Sequence, residues 1–396
     1  MNRRPELRVV KAKEPSKKEK IIAEATRQFN GRGYYDTRLE DIADQLGTVK
    51  TSISYHFKSK DSLLAEVYTR ACDFAESSME EAQTEPNGLE RIIAYMRAQL
   101  EKHATTIIED TPPLALMNDM SGLSETDSER IGARYQSHIR SFKTFLTEGI
   151  ADGSVDVNSV DASTFFAFNA IQSTPPWLNA LPERSLDAAI DGFCDLMRHG
   201  FRAGNKVLPA LRTTRDHSAS MPDIFDRNAR NKLKQDAILR TGIRYLNRRG
   251  YRNLSLEDIA AELGVTRGAF YYQIDDKESF LVESFNRTCG LIENALERSS
   301  SLDSEAVALL RIERIVRWLF EDHVTELDPL VRLNLAQLLD KPRQIALNAR
   351  LRRLRAIFAE LIAEGMLDGS IRTLDVESAE YIVFGSVFAA SGRRFA

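Results

Sequence analysis

The stretch Leu39–Lys60, LEDIADQLGTVKTSISYHFKSK, returns as Leu256–Lys277, LEDIAAELGVTRGAFYYQIDDK. Leu39 and Leu256, Gly47 and Gly264, and Lys60 and Lys277 are each 217 residues apart. A repeat at fixed spacing constrains the fold more than any bulk property, because both copies must make the same local structure. In the first copy Leu39, Ile42, Ala43 and Leu46 recur at helical spacing. Gly47 then stops the helix at a place that needs positive φ. Ala43 is small where two helix axes cross. A second short helix is expected from about Lys50 to His56, with Ile53 as its inward anchor. Ile259, Ala260, Leu263, Gly264, Val265 and Phe270 take these roles in the second copy. Two short helices joined by a tight turn make a helix-turn-helix.

With 396 residues the chain has room for two or more cored domains. Its net charge of −4 excludes a surface that binds polyanions everywhere, so a nucleic-acid face must be local. No apolar run reaches the length of a membrane span, and the basic stretch Met1–Lys20 lacks an apolar core. The expectation is a cytoplasmic protein with no membrane partner. Cys72, Cys194 and Cys289 form no CxxC pair and the histidines do not cluster, so neither metal nor cofactor is expected. Cys72 and Cys289 share one repeat position and read as small buried residues. No GxSxG, GxGxxG, P-loop or HExxH pattern is present, which argues against an enzyme.

The fold class expected is all-α, two tandem units, each a three-helix reader followed by a helical body. Residues 1–16 read as a basic disordered tail, with an arm that adds phosphate contacts as the alternative, 17–62 as the first reader and 63–205 as the first body. Residues 206–226 read as a linker, 227–279 as the second reader and 280–396 as the second body. Lys17 to Arg32 is the first helix, with Ile21, Ile22, Ala25 and Phe29 buried. Its counterpart runs from Asn231 to Arg249. Ser255 is an N-cap paired with Asp258, whereas Arg38 in the matching place cannot cap and Thr37 is the substitute. Helices are expected at Asp61–Glu81, Gly88–Glu109, Pro112–Met120, Ser124–Ala151, Asp161–Ile171 and Leu186–Phe201, with Pro175-Pro176-Trp177 between the last two. Glu148–Val155 and Glu364–Ile371 repeat the turn after the long helix, now 216 apart, so the duplication covers the body. A helix Asp375–Phe388 follows. The chain stops at Ala396 before a counterpart of Leu186–Phe201, which leaves the second body short of one helix. The linker, rich in Pro, Ser and Thr, spans on the order of 60 Å extended, enough for the halves to pack side by side.

Ala25, Phe29, Gly33, Tyr34, Thr37, Ile42, Ala43, Leu46, Gly47, Ile53, His56, Phe57, Lys60 and Leu64 together resemble the DNA-binding domain of the tetracycline-repressor (TetR/AcrR) family. Tyr245, Leu246, Gly250, Tyr251, Ile259, Ala260, Leu263, Gly264, Val265, Phe270, Tyr271, Lys277 and Leu281 carry the resemblance in the second copy. Ser54 stands where the family has tyrosine, Thr48 replaces the apolar residue after the glycine, and Gln273-Ile274 replaces His-Phe. The resemblance implies a body that binds a small apolar effector and dimerises.

The residues expected to contact a double-stranded operator are Lys50, Thr51, Ser52, Tyr55 and His56 in the first copy. In the second they are Thr266, Arg267, Gly268, Tyr271, Tyr272 and Gln273, with Ser255 at the helix start. Arg267 suits a bidentate guanine contact and Gln273 an adenine. The resemblance adds Lys60, Lys277, Thr37, Tyr55 and Tyr271 as phosphate contacts. Effector candidates are Tyr95, His103, Met117, Met120, Phe142, Phe168 and Trp177 in the first body, and Trp318, His323, Phe358, Tyr381 and Phe384 in the second. The two recognition helices are not alike, so an intramolecular pseudo-dimer would read an asymmetric site; a homodimer of tandem chains is the other arrangement. The function expected is a repressor released by an apolar effector. The alternative is a sensing adaptor in which only the second reader binds DNA.

Overall fold

The computed structural model describes residues 15–109, 111–117, 120, 122–179, 181–182, 185–204, 227–301, 307–324 and 328–389. The tail's first 14 residues and the linker lie outside these. The first half comprises α1 (Lys17–Arg32), α2 (Leu39–Gln45), α3 (Lys50–His56), α4 (Lys60–Ala82), α5 (Gly88–Glu109), α6 (Glu125–Asp152), α7 (Val160–Leu178) and α8 (Leu186–His199). The second comprises α9 (Arg227–Arg249), α10 (Leu256–Glu262), α11 (Arg267–Tyr271), α12 (Lys277–Ser301), α13 (Ala308–Val324), a 3-10 segment (Leu333–Leu338), α14 (Lys341–Leu367) and α15 (Val376–Ala389). The chain is all-α; among the described residues the one extended feature is an isolated antiparallel bridge between Arg202 and Ile371.

Local chemistry sets the helix ends. Ser16 and Glu19 form a reciprocal capping box at α1. Ser255 accepts the Asp258 N–H at 3.0 Å to cap α10. At α2 the residue before the helix is Arg38, and capping runs the other way: Asp41 reaches back to accept the Arg38 N–H at 3.1 Å. Thr37 does not substitute; its hydroxyl donates to the Gly33 carbonyl at 2.8 Å.

Two helix expectations change. Residues 111–117 are not helical, because the Leu114 carbonyl and Leu116 N–H bond to Asn30 instead of to their own turn, each at 2.8 Å. Conversely, α7 continues through Pro175 and Pro176 to Leu178. Pro175 removes the N–H that the Ile171 carbonyl would receive. The Thr174 hydroxyl supplies that hydrogen bond, at 2.6 Å from Ile171 O, and also lies 2.8 Å from Ala170 O.

The duplication is legible in side-chain chemistry. Asp152 accepts the Gly88 N–H at the start of α5, and Asp368 accepts the Ala308 N–H at the start of α13. Arg134 bonds Glu76 across α6 and α4, as Arg350 bonds Glu293 across α14 and α12. Cys72 and Cys289 are buried beside these pairs.

The halves pack against each other through α7, α8 and α15. Trp177 stacks on Tyr381 with ring centroids 5.1 Å apart, and the Arg355 guanidinium stands 3.9 Å from the Tyr381 centroid. Gly385 lets α15 approach α7, since a Cβ there would come within 2.7 Å of the Ser173 hydroxyl. Arg372 N donates to the Phe201 carbonyl at 2.9 Å, and its guanidinium bonds Asp195 at 2.7 Å. The core of the second reader, with Ile243, Ile259, Phe270 and Phe280, is continuous with that of the bodies. The first reader, around Ile21, Ile42, Ile53 and Leu64, has a core of its own.

Candidate nucleic-acid interface

Ile53 is fully buried and turns the rest of α3 outward; Phe270 does the same for α11. Val49, one residue before α3, is also solvent-facing. Tyr55 is 86% exposed and Tyr272 is 73% exposed. Large rings held in water at matching places are where a surface awaits a partner. Thr51 is exposed, Ser52 and His56 are half-buried, and the His56 ring meets Tyr55 edge-on at 5.1 Å. The Ser52 hydroxyl accepts from Lys17 Nζ at 3.1 Å, which brings the start of α1 to this face. In the second reader Thr266, Arg267 and Gly268 are exposed, while Tyr271 and Gln273 are half-buried. The Thr266 hydroxyl accepts the Ala269 N–H at 3.3 Å and so also starts α11.

Lys50 and Arg267 open the two recognition helices. Each meets the glutamate at the second position of the preceding helix. Lys50 Nζ lies 2.8 Å from Glu40, and Arg267 Nη2 lies 3.1 Å from Glu257. Glu257 also accepts the Tyr271 hydroxyl at 3.0 Å, and Arg267 stands 5.5 Å from the Tyr271 ring centroid. Arg267 is thus held on two sides and Lys50 on one. The Lys50 ammonium keeps the Glu40 carboxyl below the usual carboxylate range. The Glu257 carboxyl is lowered by its own backbone N–H and then by Tyr271. These pairs are solvent-exposed, so they aim a cation more than they stabilise the fold. The glutamates did not figure among the expected site residues. The signal was present: an acid at one place in both LED triplets, ten residues before a cation.

Thr37 and Lys60, expected at phosphates, are placed otherwise. Thr37 is fully buried. Lys60 Nζ donates to the Tyr34 and Thr37 carbonyls at 2.8 and 2.9 Å and lies 4.0 Å from the Tyr34 ring centroid. Burial lowers its pKa. It staples the α1–α2 loop to α4, because both carbonyls belong to that loop and lie outside any helical ladder. Lys277 makes one longer bond of this kind, 3.3 Å to the Arg252 carbonyl. Tyr34 donates to Asp61, and burial with that carboxylate raises its pKa.

Most effector candidates are packing residues. Tyr95, Phe142 and Phe168 contact one another with centroids 5.3–6.3 Å apart. Met117 and Met120 pack on the first reader's core. Trp177 and Tyr381 form the stack between the halves, and Phe358 lies edge-on to Phe384 at 6.0 Å. His103 is buried and its imidazole is pushed down to about 4 by that burial. The side chain of His323 lies outside the described residues. Trp318 lines a cavity of about 350 Å³ between α12 and α13, with Leu291, Asn294, Arg298, Asp328 and Leu330.

Among the described residues no helix is long and apolar enough to cross a membrane, and no cluster of metal-ligating side chains occurs. Comparison with known proteins gives matches to the family described as bacterial regulatory proteins, tetR family, at residues 21–67 and again at 238–283. The chain is 28% identical over 144 residues to the HTH-type transcriptional repressor KstR2 of Mycolicibacterium smegmatis, covering 35% of this chain and 67% of that one. It is 33% identical over 86 residues to the HTH-type transcriptional regulator RutR of Escherichia coli, covering 22% of this chain and 41% of RutR. A crystal structure of the TetR family regulator PfmR from Thermus thermophilus is similar at 22% identity and a TM-score of 0.38, over 48% of this chain and all of that one.

Proposed function

The chain belongs to the TetR/AcrR family of DNA-binding regulators and carries the family's reader twice, and from that premise we propose that it is a repressor reading one asymmetric operator with two unlike recognition helices. The observation that carries this reading is the pair Lys50–Glu40 and Arg267–Glu257. The same arrangement presents a different cation at equivalent places. A planar guanidinium on a two-sided mount suits bidentate contact with guanine O6 and N7. An ammonium on a one-sided mount suits a phosphate or a less selective base contact. Residues of both readers are proposed as DNA contacts: Lys50, Thr51, Ser52, Tyr55 and His56 with Thr266, Arg267, Gly268, Tyr271, Tyr272 and Gln273, and Lys277 and Ser255 at the phosphates.

Selection of bound DNA from a random pool tests this. The expected product is a site with two different sequence blocks, one rich in guanine. A clean palindrome would favour two chains using like readers. Loss of binding on Arg267→Ala with Tyr271→Ala, and none on Lys50→Ala with Tyr55→Ala, would leave only the second reader active.

The effector reading rests on the second body. Leu330 lines the Trp318 cavity, and its carbonyl accepts from Asn247 of α9 at 2.8 Å. A ligand that displaces this segment therefore acts on the first helix of the second reader. It releases DNA only if it binds the two positions of α9 unequally. A thermal-shift screen followed by DNA release from the selected site would test it; a ligand that stabilises the chain without loosening DNA would refute it.

A further inference from the structure

Asp36 leaves the end of α1 in the first reader and is only 3% exposed. Its carboxylate accepts two backbone N–H groups of the second reader, Tyr251 at 3.1 Å and Arg252 at 2.8 Å. The Arg252 guanidinium stands 3.8 Å from Asp36 and 3.6 Å from Asp41, both in the first reader. Beside this contact α1 lies on the 3-10 segment of the second half, with Leu335 buried and Gln337 packed against Gly31. The contact is one-sided. Asn253 holds the place of Asp36 in the second copy, and its amide donates at 3.2 Å to the Arg249 carbonyl within its own reader. The duplication itself therefore did not produce this brace.

A buried carboxylate is costly unless hydrogen-bonded, and bonds to a charged acceptor are about twice as strong as neutral ones. The two N–H groups belong to the backbone at the exit of α9. They therefore fix the position of the second reader itself rather than of one flexible side chain. We propose that Asp36 is a positioning residue that sets the separation of the two readers, and with it the number of base pairs allowed between the two blocks of the operator. This rests on the two-reader function above. Each inserted base pair moves the second block along and around the duplex axis, and a braced pair can follow only by breaking both bonds.

The test uses the full chain and the DNA it selects from a random pool, resynthesised with one base pair inserted or removed between the blocks. The wild-type chain should lose affinity by about tenfold on either change, the scale of one poor base contact. Asp36→Ala should bind all three spacings within about threefold of one another. Asp36→Asn is the second variant, since asparagine already occupies the equivalent place in a folded reader; it should also relax the spacing while unfolding at nearly the wild-type temperature. Variants as strict as the wild type would overturn the proposal. So would a wild-type chain indifferent to spacing, or variants that tighten binding equally at every spacing, which would make Asp36 a lock against DNA. Failure of the wild-type chain to enrich any DNA would instead bring down the operator reading, and this proposal with it.

Discussion

Asn247 donates its amide to the Leu330 carbonyl at 2.8 Å, and Asn30, its counterpart one repeat earlier, donates to the Leu114 carbonyl at the same distance. Each amide oxygen then accepts an N–H two residues further on, Arg332 at 3.3 Å and Leu116 at 2.8 Å. In both halves an asparagine of the reader's first helix thus bonds two backbone groups of its own body.

Removing that grip should cost more in the second half. Asn247 is 8% exposed, whereas Asn30 is half-buried. Asn247→Ala removes the hydrogen bonds to the Leu330 carbonyl and from the Arg332 N–H and should lower stability by about 2 kcal/mol, the scale of two hydrogen bonds lost from a buried site. Water can partly replace the lost bonds of Asn30→Ala, so its effect should be smaller. Urea unfolding of the two variants checks the order; equal effects would contradict it.

The acid beside each reading cation should govern selectivity rather than strength. Glu257→Gln removes a negative charge from the DNA face and one side of the Arg267 mount. Binding to unrelated DNA should rise, and the ratio of specific to unrelated binding should fall by about tenfold, the worth of a well-placed bidentate contact. Lys50→Ala should weaken binding to all sequences alike and reduce the salt slope by about one. Titrations on the selected site and on a scrambled duplex at several salt concentrations separate the two behaviours.

His103 should make the protein sensitive to mild acid. Its imidazole is held down to about 4 by burial, against an ordinary value of 6.5. The folded state therefore binds fewer protons than the unfolded one between those values. This contribution is complete above the ordinary histidine range and is lost as pH falls towards 4, by about 3 kcal/mol in all. His103→Gln should flatten the decline in unfolding free energy over that window. His138 is lowered too, chiefly by burial, and leaves a residual slope. Parallel pH profiles for both proteins would contradict the assignment.

The helices and the duplication could be read from the sequence because their signals are local. A serine that caps, a glycine that takes positive φ, and an apolar residue every third or fourth place all act within one turn. That is why α1 begins after Ser16, and why α1 and α2 end beside Gly33 and Gly47. Pro175 and Pro176 misled because the Thr174 hydroxyl, a polar group with its own choice of partner, took over a backbone bond.

The sequence by itself determined an all-helical chain that uses one reader design twice, because periodicity and capping depend on near neighbours. Only the tertiary structure decided which polar side chains face solvent and which are consumed. Thr37 and Lys60 point at carbonyls of the turn that follows α1, and Asp36 reaches backbone 215 residues away. A polar group bonds whatever donor or acceptor the packed fold brings within about 3 Å, and chain order alone does not specify that neighbour.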